Sequence, residues 1–176
     1  YRPEAFMSIP VLTFFNNKGG VGKTSLAYHL SWMFAGLGKR VVAIDLDPQA
    51  SLSALFGIHS VLDLPQGATL YSALRYDDER RPASDLVRST YIPGLSFIPG
   101  GLELMEFEHE TPAAFQSMDA TQVFSRLGEA IEELDSSFDV VVIDCPPQLG
   151  FITLSALIAA TSILITVHPQ MLDVMS

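Results

Sequence analysis

A glycine-rich loop is the feature of this sequence that most limits the folds open to it. The loop reads K-G-G-V-G-K-T over residues 18–24. It lies between an apolar run, Val11–Phe15, and a segment from Thr24 to Leu37 whose apolar residues have helical spacing. A second apolar run, Val41–Ile44, follows. Strand, loop, helix and strand in this order predict a βαβ unit with a right-handed crossover, and therefore parallel strands.

The rest of the chain continues this alternation of strands and helices. Strands are predicted at Leu95–Ile98, Phe138–Ile143 and Ile163–Val167, and helices near Leu70–Tyr76, Ser84–Ser89, Thr121–Leu134 and Phe151–Ala160. Strands rich in Val and Ile that alternate with helices are typical of a doubly wound α/β fold, with a mostly parallel sheet and helices on both faces. The 176 residues suit a single domain, 1–176.

The two ends of the chain carry separate predictions. Met7 lies just before the first strand, where a natural start is expected, so residues 1–6 are predicted to be non-native or processed sequence. The chain ends at Ser176, shortly after a predicted strand and without a closing helix. We therefore expect a C-terminal part of the domain to lie outside this sequence.

Composition and charge exclude several classes of protein. The net charge of −10 is concentrated after residue 60, and phosphate contact needs clustered Lys and Arg, so this stretch is not expected to bind nucleic acid by itself. The single cysteine, Cys145, excludes an internal disulfide and a multi-cysteine metal site. The acidic run Glu103–Glu110 is interpreted as a solvated face rather than a metal site.

One segment has the length of a membrane span. Leu149–Val167 contains no Asp, Glu, Lys or Arg. Five Thr and Ser residues interrupt it, however, and His168-Pro169 follows. A buried helix followed by a buried strand is therefore predicted in place of a membrane span.

The glycine-rich loop has the composition of a phosphate-binding loop. Glycines let the backbone turn its N–H groups toward phosphate oxygens, and the start of the following helix adds a partial positive charge. Lys23 is placed to reach the β- and γ-phosphates of a nucleotide, and the Thr24 hydroxyl to bind Mg²⁺. A glycine-rich turn with incidental lysines is the alternative. The predicted nucleotide-binding residues are Lys18, Gly19, Gly20, Val21, Gly22, Lys23, Thr24 and Ser25.

Carboxylates end two of the predicted strands, at the edge where open α/β sheets bind ligands. Asp45 and Asp47 belong to the run D-L-D-P-Q, and two residues apart on an extended chain their side chains point the same way. Asp144 ends the apolar strand V-V-V-I. An acid in this position, at the end of an apolar strand, can hold Mg²⁺ through a coordinated water. A carboxylate that only caps the following helix is the alternative interpretation of Asp45 and Asp47.

Three motifs together resemble the ParA/MinD family of P-loop ATPases. The loop departs from the pattern G-x-x-x-x-G-K-[ST], with Asn17 in place of the first glycine and Lys18 as an extra lysine, and this resembles the deviant loop of that family. The run D-L-D-P-Q is similar to the ParA branch. So is D-C-P-P-Q-L-G followed by Thr153, Ala156 and Leu157. The resemblance covers about residues 10–60 and 138–175.

The resemblance implies a role for each candidate residue, with ATP and Mg²⁺ as cofactors. Lys18 would cross a homodimer interface to the phosphates of the partner subunit, although a lysine that acts in its own subunit stays an open alternative. Lys23 would stabilise charge on the transferred phosphoryl group, and Asp47 would position the attacking water. The implied catalytic residues are Lys18, Lys23 and Asp47, and the implied metal-site residues are Thr24, Asp45 and Asp144.

The activity implied by the resemblance is slow ATP hydrolysis that positions plasmid or chromosomal DNA, or another cargo. ATP would hold a homodimer that binds DNA non-specifically through a part outside this chain, and a ParB-like partner would stimulate hydrolysis. Such a protein would be cytoplasmic and nucleoid-associated, without membrane binding. A MinD-like membrane regulator, which needs a basic amphipathic C-terminal helix, is one alternative. A metabolic P-loop kinase is the other, and needs a second pocket and a lid with arginines, for which Arg80-Arg81 is the candidate pair.

Overall fold

One mixed sheet organises the residues that a computed structural model describes, which are 9–16, 22–134 and 136–166. Its strands are β1 Val11–Phe15, β2 Val41–Asp45, β3 Arg88–Ser89, β4 Leu95–Ile98, β5 Val140–Asp144 and β6 Ser162–Ile165. The order across the sheet is β3-β4-β2-β5-β1-β6. Neighbouring strands are parallel, except that β3 pairs antiparallel with β4 at one edge.

Helices cover both faces of this sheet. They are α1 Lys23–Gly36, α2 Ser51–Leu55, α3 Tyr71–Leu74, α4 Leu104–Ala114, α5 Ala120–Phe124, α6 Arg126–Glu132 and α7 Phe151–Ala159. Successive side chains of β5 point to opposite faces. Val142 packs in the core that contains residues of α1 and α2, whereas Val141 packs in the core that contains residues of α3, α4, α6 and α7. The prediction of a doubly wound, mostly parallel α/β fold is confirmed.

The two central strands are buried along their whole length, including their final acidic residues. Every residue of β2 and β5 is buried, and both strands are apolar up to Asp45 and Asp144. Burial on both faces explains why these strands are continuous apolar runs rather than alternating patterns. The fold therefore carries two carboxylates into the interior at the carboxyl edge of the sheet.

Several elements differ from their predicted form. The helix predicted over Ser84–Ser89 is wrong, because only a 3₁₀ turn, Ala83–Leu86, forms there, and the next residues pair with β4 as β3. The helix predicted over Thr121–Leu134 is divided at Ser125 into α5 and α6. Asp119 begins α5 with a capping box that includes Gln122. Both differences lie at breaks that apolar spacing alone does not reveal.

Two helices were not predicted. α4 forms within the acidic run, since Leu104, Phe107 and Thr111 are buried on one helical face while its acidic side chains are at least partly exposed. α2 is only five residues long and is separated from the D-L-D-P-Q run by Ala50, its N-cap residue. Both helices position groups of the candidate site described below.

The uncharged segment folds as a helix and a strand, α7 and β6, as predicted. Within the described ranges, no helix is long and apolar enough to cross a membrane. The expected burial of the strand is not observed, because β6 lies at the sheet edge with Ile163 and Ile165 exposed. Val167, residues 1–6 and the chain end at Ser176 lie outside the described residues.

Candidate functional site

The carboxyl ends of β1, β5 and β2 lie side by side at one edge of the sheet. Asp144 at the end of β5 pairs in register with Phe14 of β1 on one side and with Asp45 of β2 on the other. α1 begins at Lys23, eight residues after the end of β1. The strand order therefore brings the start of α1 and both acidic strand ends together, although they are far apart in the sequence.

Lys23 and Thr24 both bind the Asp144 carboxylate. The Lys23 Nζ atom lies 2.5 Å from Oδ1 of Asp144 and also donates to the carbonyl oxygen of Cys145. The Thr24 hydroxyl donates to Oδ2 of Asp144 at 2.7 Å. Burial raises the pKa of Asp144, and the Lys23 ammonium and the Thr24 hydroxyl oppose that shift. Both carboxylate oxygens thus have a donor, and one of these donors carries a buried positive charge.

The first turn of α1 suits an anion. Its N-cap residue is Gly22, whose φ of 74° lies in the left-handed region that glycine adopts without strain. The first turn contains no acidic residue, so the partial positive charge of the helix end is not neutralised from within the turn. Ser25 is exposed in this turn. The predicted loop residues Lys18, Gly19, Gly20 and Val21 lie outside the described residues, and their roles stay predictions.

Asp45 has the contacts of a helix cap. Its Oδ2 atom accepts hydrogen bonds from the Ser53 N–H at 2.8 Å and the Ser53 hydroxyl at 2.7 Å, and its Oδ1 atom accepts from the Asp47 N–H at 3.1 Å. Burial raises the pKa of Asp45 to about 7, although these hydrogen bonds act to lower it. The nearby charge of Asp144 adds to the increase. The geometry favours the capping interpretation, while the predicted place of Asp45 near a metal is untested.

Asp47 is held in a tight turn beside the site. Its Oδ1 atom accepts from the Gln49 N–H at 2.8 Å, and its carbonyl oxygen accepts from the N–H of Ala50, which has a φ of 53°. The residue is only 8% exposed, and its charge contributes to the raised pKa of Asp144. The structure therefore brings Asp47 close to Asp144 and leaves its capping and catalytic interpretations both available.

Two residues that support these carboxylates were missed by the sequence reasoning. Ser53 joins Asp45 to the Gly100 N–H, which donates to the Ser53 hydroxyl at 3.0 Å. A Cβ atom at Gly100 would lie 2.8 Å from the carbonyl oxygen of Asp45 and 2.9 Å from that of Asp47, so a side chain cannot fit there. The Gly100-Gly101 pair, one residue after a predicted strand, was the available signal for this close approach.

The raised pKa of Asp45 leads to a prediction for stability. The unfolded chain ionises this carboxyl near pH 4, whereas the folded chain keeps its proton to about pH 7. The contribution of this group to stability is therefore full below about pH 4 and is lost as the pH rises through about 7, at no more than about 1.4 kcal/mol per pH unit. We expect Asp45→Asn, which cannot ionise, to remove this contribution.

Urea unfolding without nucleotide or magnesium, at about pH 5 and pH 7.5, measures the effect. The free energy of unfolding of the wild-type protein, minus that of Asp45→Asn, should be smaller at the higher pH than at the lower one. Asp78→Asn, at an exposed position, controls for the loss of one negative charge. A difference between wild type and Asp45→Asn that is equal at both pH values would contradict this account.

A cavity of about 370 Å³ lies next to the Asp47 turn. Its lining includes Gln49, His59, Thr69, Gly101 and Glu103, and none of its described lining residues is Lys or Arg. The paired arginines of the sequence are engaged elsewhere, where they bind Glu133 and the carbonyl oxygens of Ala73 and Gly67. Neither arginine is therefore among the described residues that line the cavity.

A mostly parallel sheet, a glycine-rich sequence before α1 and a buried strand-end acid define a protein of the P-loop NTPase-like class. The AAA domain family matches residues 9–175 of the chain. Among solved structures, a protein called cobyrinic acid a,c-diamide synthase from Mycobacterium smegmatis, with bound ATP analog and magnesium, superposes with a TM-score of 0.78. It is 32% identical and is matched over 90% of this chain and 59% of its own. A plasmid partition protein from Borrelia burgdorferi, 22% identical, shares the fold with a TM-score of 0.76, matched over 96% of this chain and 69% of its own.

Curated relatives identify the family to which the chain belongs within this class. A protein named "Putative replication protein A" from Rhizobium rhizogenes is 58% identical over 96% of this chain and 42% of its own length. The sporulation initiation inhibitor protein Soj of Bacillus subtilis is 34% identical over 90% and 58%, and the chromosome partitioning protein ParA of Myxococcus xanthus is 37% identical over 85% and 49%. The chain belongs to the ParA/MinD family of P-loop ATPases, and it spans only about half the length of these relatives.

Proposed function

We propose that this chain binds Mg-ATP and hydrolyses it slowly. The observation that carries the proposal is the convergence of Lys23 and Thr24 on the buried Asp144 carboxylate at the start of α1. A buried ammonium needs an anionic partner, and in this arrangement the partner is the carboxylate. A triphosphate bound at the start of α1 would offer Lys23 phosphate oxygens instead, while Asp144 becomes available to a cation.

The same residues suit magnesium. Mg²⁺ prefers oxygen ligands, commonly a hydroxyl, a carboxylate and substrate phosphates together with water. Thr24 Oγ1 and Asp144 Oδ2 are 2.7 Å apart and supply the first two. Thr24 and Asp144 would hold the ion, directly or through water, and the ion would neutralise charge on the phosphates. Asp45, whose oxygens both accept hydrogen bonds from the protein, would support the site as a cap rather than as a ligand.

Hydrolysis would depend on Asp47 and Lys18. Asp47 is nearly buried and its charge contributes to the raised pKa of Asp144, and we propose that its carboxylate orients water toward a bound phosphate. Lys18 would act from a second copy of the chain in an ATP-dependent homodimer and would stabilise charge on the transferred group. The role of Lys18 rests on its motif alone, and that of Asp47 rests on its motif and on its described position.

We propose that the protein uses this cycle to partition or position DNA. The support is the identity with relatives named replication protein A, Soj and ParA. DNA binding, a ParB-like partner and a nucleoid-associated location in the cytoplasm would belong to the whole protein. The strong negative charge after residue 60 agrees with a DNA-binding surface outside the described segments. The lack of arginine around the described cavity favours this role over a metabolic kinase.

The dimer is tested by Lys18→Ala in the full-length protein. Removing one charge-assisted contact to phosphate costs about 1.5 to 3 kcal/mol, or roughly 10- to 150-fold in affinity, and a symmetric dimer makes that contact twice. We expect the variant to keep ATP binding through Lys23 but to lose the dimer formed with a non-hydrolysable ATP analogue. Size-exclusion chromatography with light scattering measures dimer formation.

A second measurement separates the two open interpretations of Lys18. If the lysine acts across the interface, specific ATPase activity of the wild-type protein should rise with protein concentration and then level off. Lys39→Ala, which removes the exposed lysine beyond α1, is the matched control and should dimerise normally. Normal nucleotide-dependent dimerisation of Lys18→Ala would mean that the lysine acts within its own subunit.

A further inference from the structure

A carboxylate from another helix holds the start of α7. Glu108 of α4 accepts a hydrogen bond from the Phe151 N–H at 3.0 Å through Oε2, and another from the Ile152 N–H at 2.8 Å through Oε1. The N-cap residue of α7 is Gly150, which has no side chain that could cap the helix. Glu108 thus supplies, from more than 40 residues away, the acceptors that the local sequence lacks.

Gly150 is fitted to this contact. A Cβ atom at this position would lie 2.5 Å from Oε1 and 2.8 Å from Cδ of Glu108, closer than real side chains come. The backbone of Gly150 has a φ of −105° and a ψ of −171°, an extended conformation that any residue adopts. The glycine is therefore required for the space that the carboxylate occupies, and not for the shape of the backbone.

The contact lies at the far end of the segment that follows Asp144. At its near end this segment is held by the bonds of Lys23 and Thr24 to Asp144. At its far end Glu108 holds the Phe151 and Ile152 amides, and the Thr153 hydroxyl donates to the Gln148 carbonyl oxygen at 2.7 Å. Residues 145–150 therefore connect the candidate nucleotide site to the segment that α4 holds.

α4 also reaches the second acidic loop. It begins at Leu104, shortly after Gly100, whose backbone packs against the carbonyl oxygens of Asp45 and Asp47. α4 therefore contacts the segment after Asp144 directly, through Glu108. It is linked to the segment that carries Asp45 and Asp47 through residues 100–103. Movement of the α4 start relative to α7 would change the distance between these two segments.

We propose that Glu108 is a positioning residue for ATP hydrolysis, which sets the path of residues 145–150 beside the nucleotide. The inference rests on the proposed ATPase activity and adds a residue that no motif contains. Because Glu108 touches neither Lys23 nor Thr24 in the described contacts, its loss should impair hydrolysis and leave ATP binding intact. Misplacement of a reacting group by about 1 Å costs up to about 100-fold in rate.

The first test is Glu108→Ala in the full-length protein. At saturating ATP, and well below the unfolding temperature, we expect kcat to fall about 10- to 100-fold while the Kd for ATP changes less than about 2-fold. Glu106→Ala removes an exposed carboxylate from the same helix and is the matched control. Glu108→Gln keeps one acceptor oxygen and should recover part of the rate. A purely structural cap would lower the unfolding temperature and leave kcat unchanged, and that result would overturn the proposal.

The second test is a double-mutant cycle with Gly150→Ala. The new methyl group would displace the Glu108 carboxylate, so Gly150→Ala alone should also reduce kcat without weakening ATP binding. When Glu108 is already alanine the methyl group has room, and the second substitution should add little. Rate losses that simply multiply would contradict the contact-based mechanism, and if Glu108→Ala does not fold the cycle can be read with Glu108→Ser, whose side chain is also too short to meet the methyl group. Absence of ATP turnover in the wild-type protein would contradict the proposed function itself, whereas normal turnover in all variants would contradict this inference alone.

Discussion

Lys23→Ala is expected to weaken ATP binding by at least about 100-fold, because it would remove the proposed charge-assisted contacts to two phosphates, worth about 1.5 to 3 kcal/mol each. No other lysine among the described residues could replace it, since Lys39 lies beyond the end of α1 and is exposed. Calorimetric titration with Mg-ATP measures the change, and Lys39→Ala should bind as the wild type does. Near-native affinity of Lys23→Ala would contradict the proposed phosphate-binding role of the loop.

The same substitution also leaves Asp144 buried without its positive partner. Breaking a buried ion pair by removing one member costs about 3 to 5 kcal/mol, so reduced stability could be confused with lost binding. The double variant Lys23→Ala with Asp144→Asn removes both charges and should be more stable than Lys23→Ala in urea unfolding. It should still fail to bind ATP, which would show that the loss of binding does not come from loss of the fold.

Asp47→Ala is expected to reduce ATP turnover by about 100- to 10,000-fold, the usual contribution of a positioned acid or base. ATP binding and the ATP-dependent dimer should persist, because the Lys23 and Thr24 contacts to Asp144 do not involve Asp47. Steady-state phosphate release measures turnover, and light scattering with ATP measures the trapped dimer. Turnover at the wild-type rate would mean that Asp47 only stabilises the turn over residues 47–50 and takes no part in hydrolysis.

The hydrogen bond from the Gln49 N–H to Asp47 allows a sharper comparison. Asp47→Asn keeps an oxygen that accepts this bond and loses only the negative charge. If the charge positions or activates water, Asn and Ala should be equally inactive. If Asp47 matters because it shapes the turn over residues 47–50, Asn should restore turnover while Ala does not.

The elements that apolar spacing predicted well are those buried on both faces. β2 and β5 were recognised because every position is apolar up to the final Asp, as burial in a central parallel strand requires. The short edge strand β3 could not be recognised in this way. Its two residues form a strand only because β4 offers them a free edge, and their own sequence contains no strand signal.

The sequence by itself identified three residues that meet at the candidate site. Lys23, Thr24 and Asp144 were predicted from a glycine-rich loop, a helix start and a strand-end acid, all of which are local patterns of a few residues. The family follows from the same patterns, because the extra lysine of the loop and the D-L-D-P-Q run are contiguous in the chain. Local patterns can be recognised without the fold, since each residue acts together with its immediate neighbours.

Only the tertiary structure decided which groups share a contact. β5 lies between β1 and β2, so Lys23 meets an acid 121 residues away, and Asp45 is buried deeply enough to raise its pKa to about 7. The cap that Glu108 provides for α7 and the room that Gly150 leaves for it have the same origin. These contacts join segments whose separation along the chain carries no pattern, because the strand order and the packing of helices onto the sheet, rather than neighbouring residues, bring them within hydrogen-bonding distance.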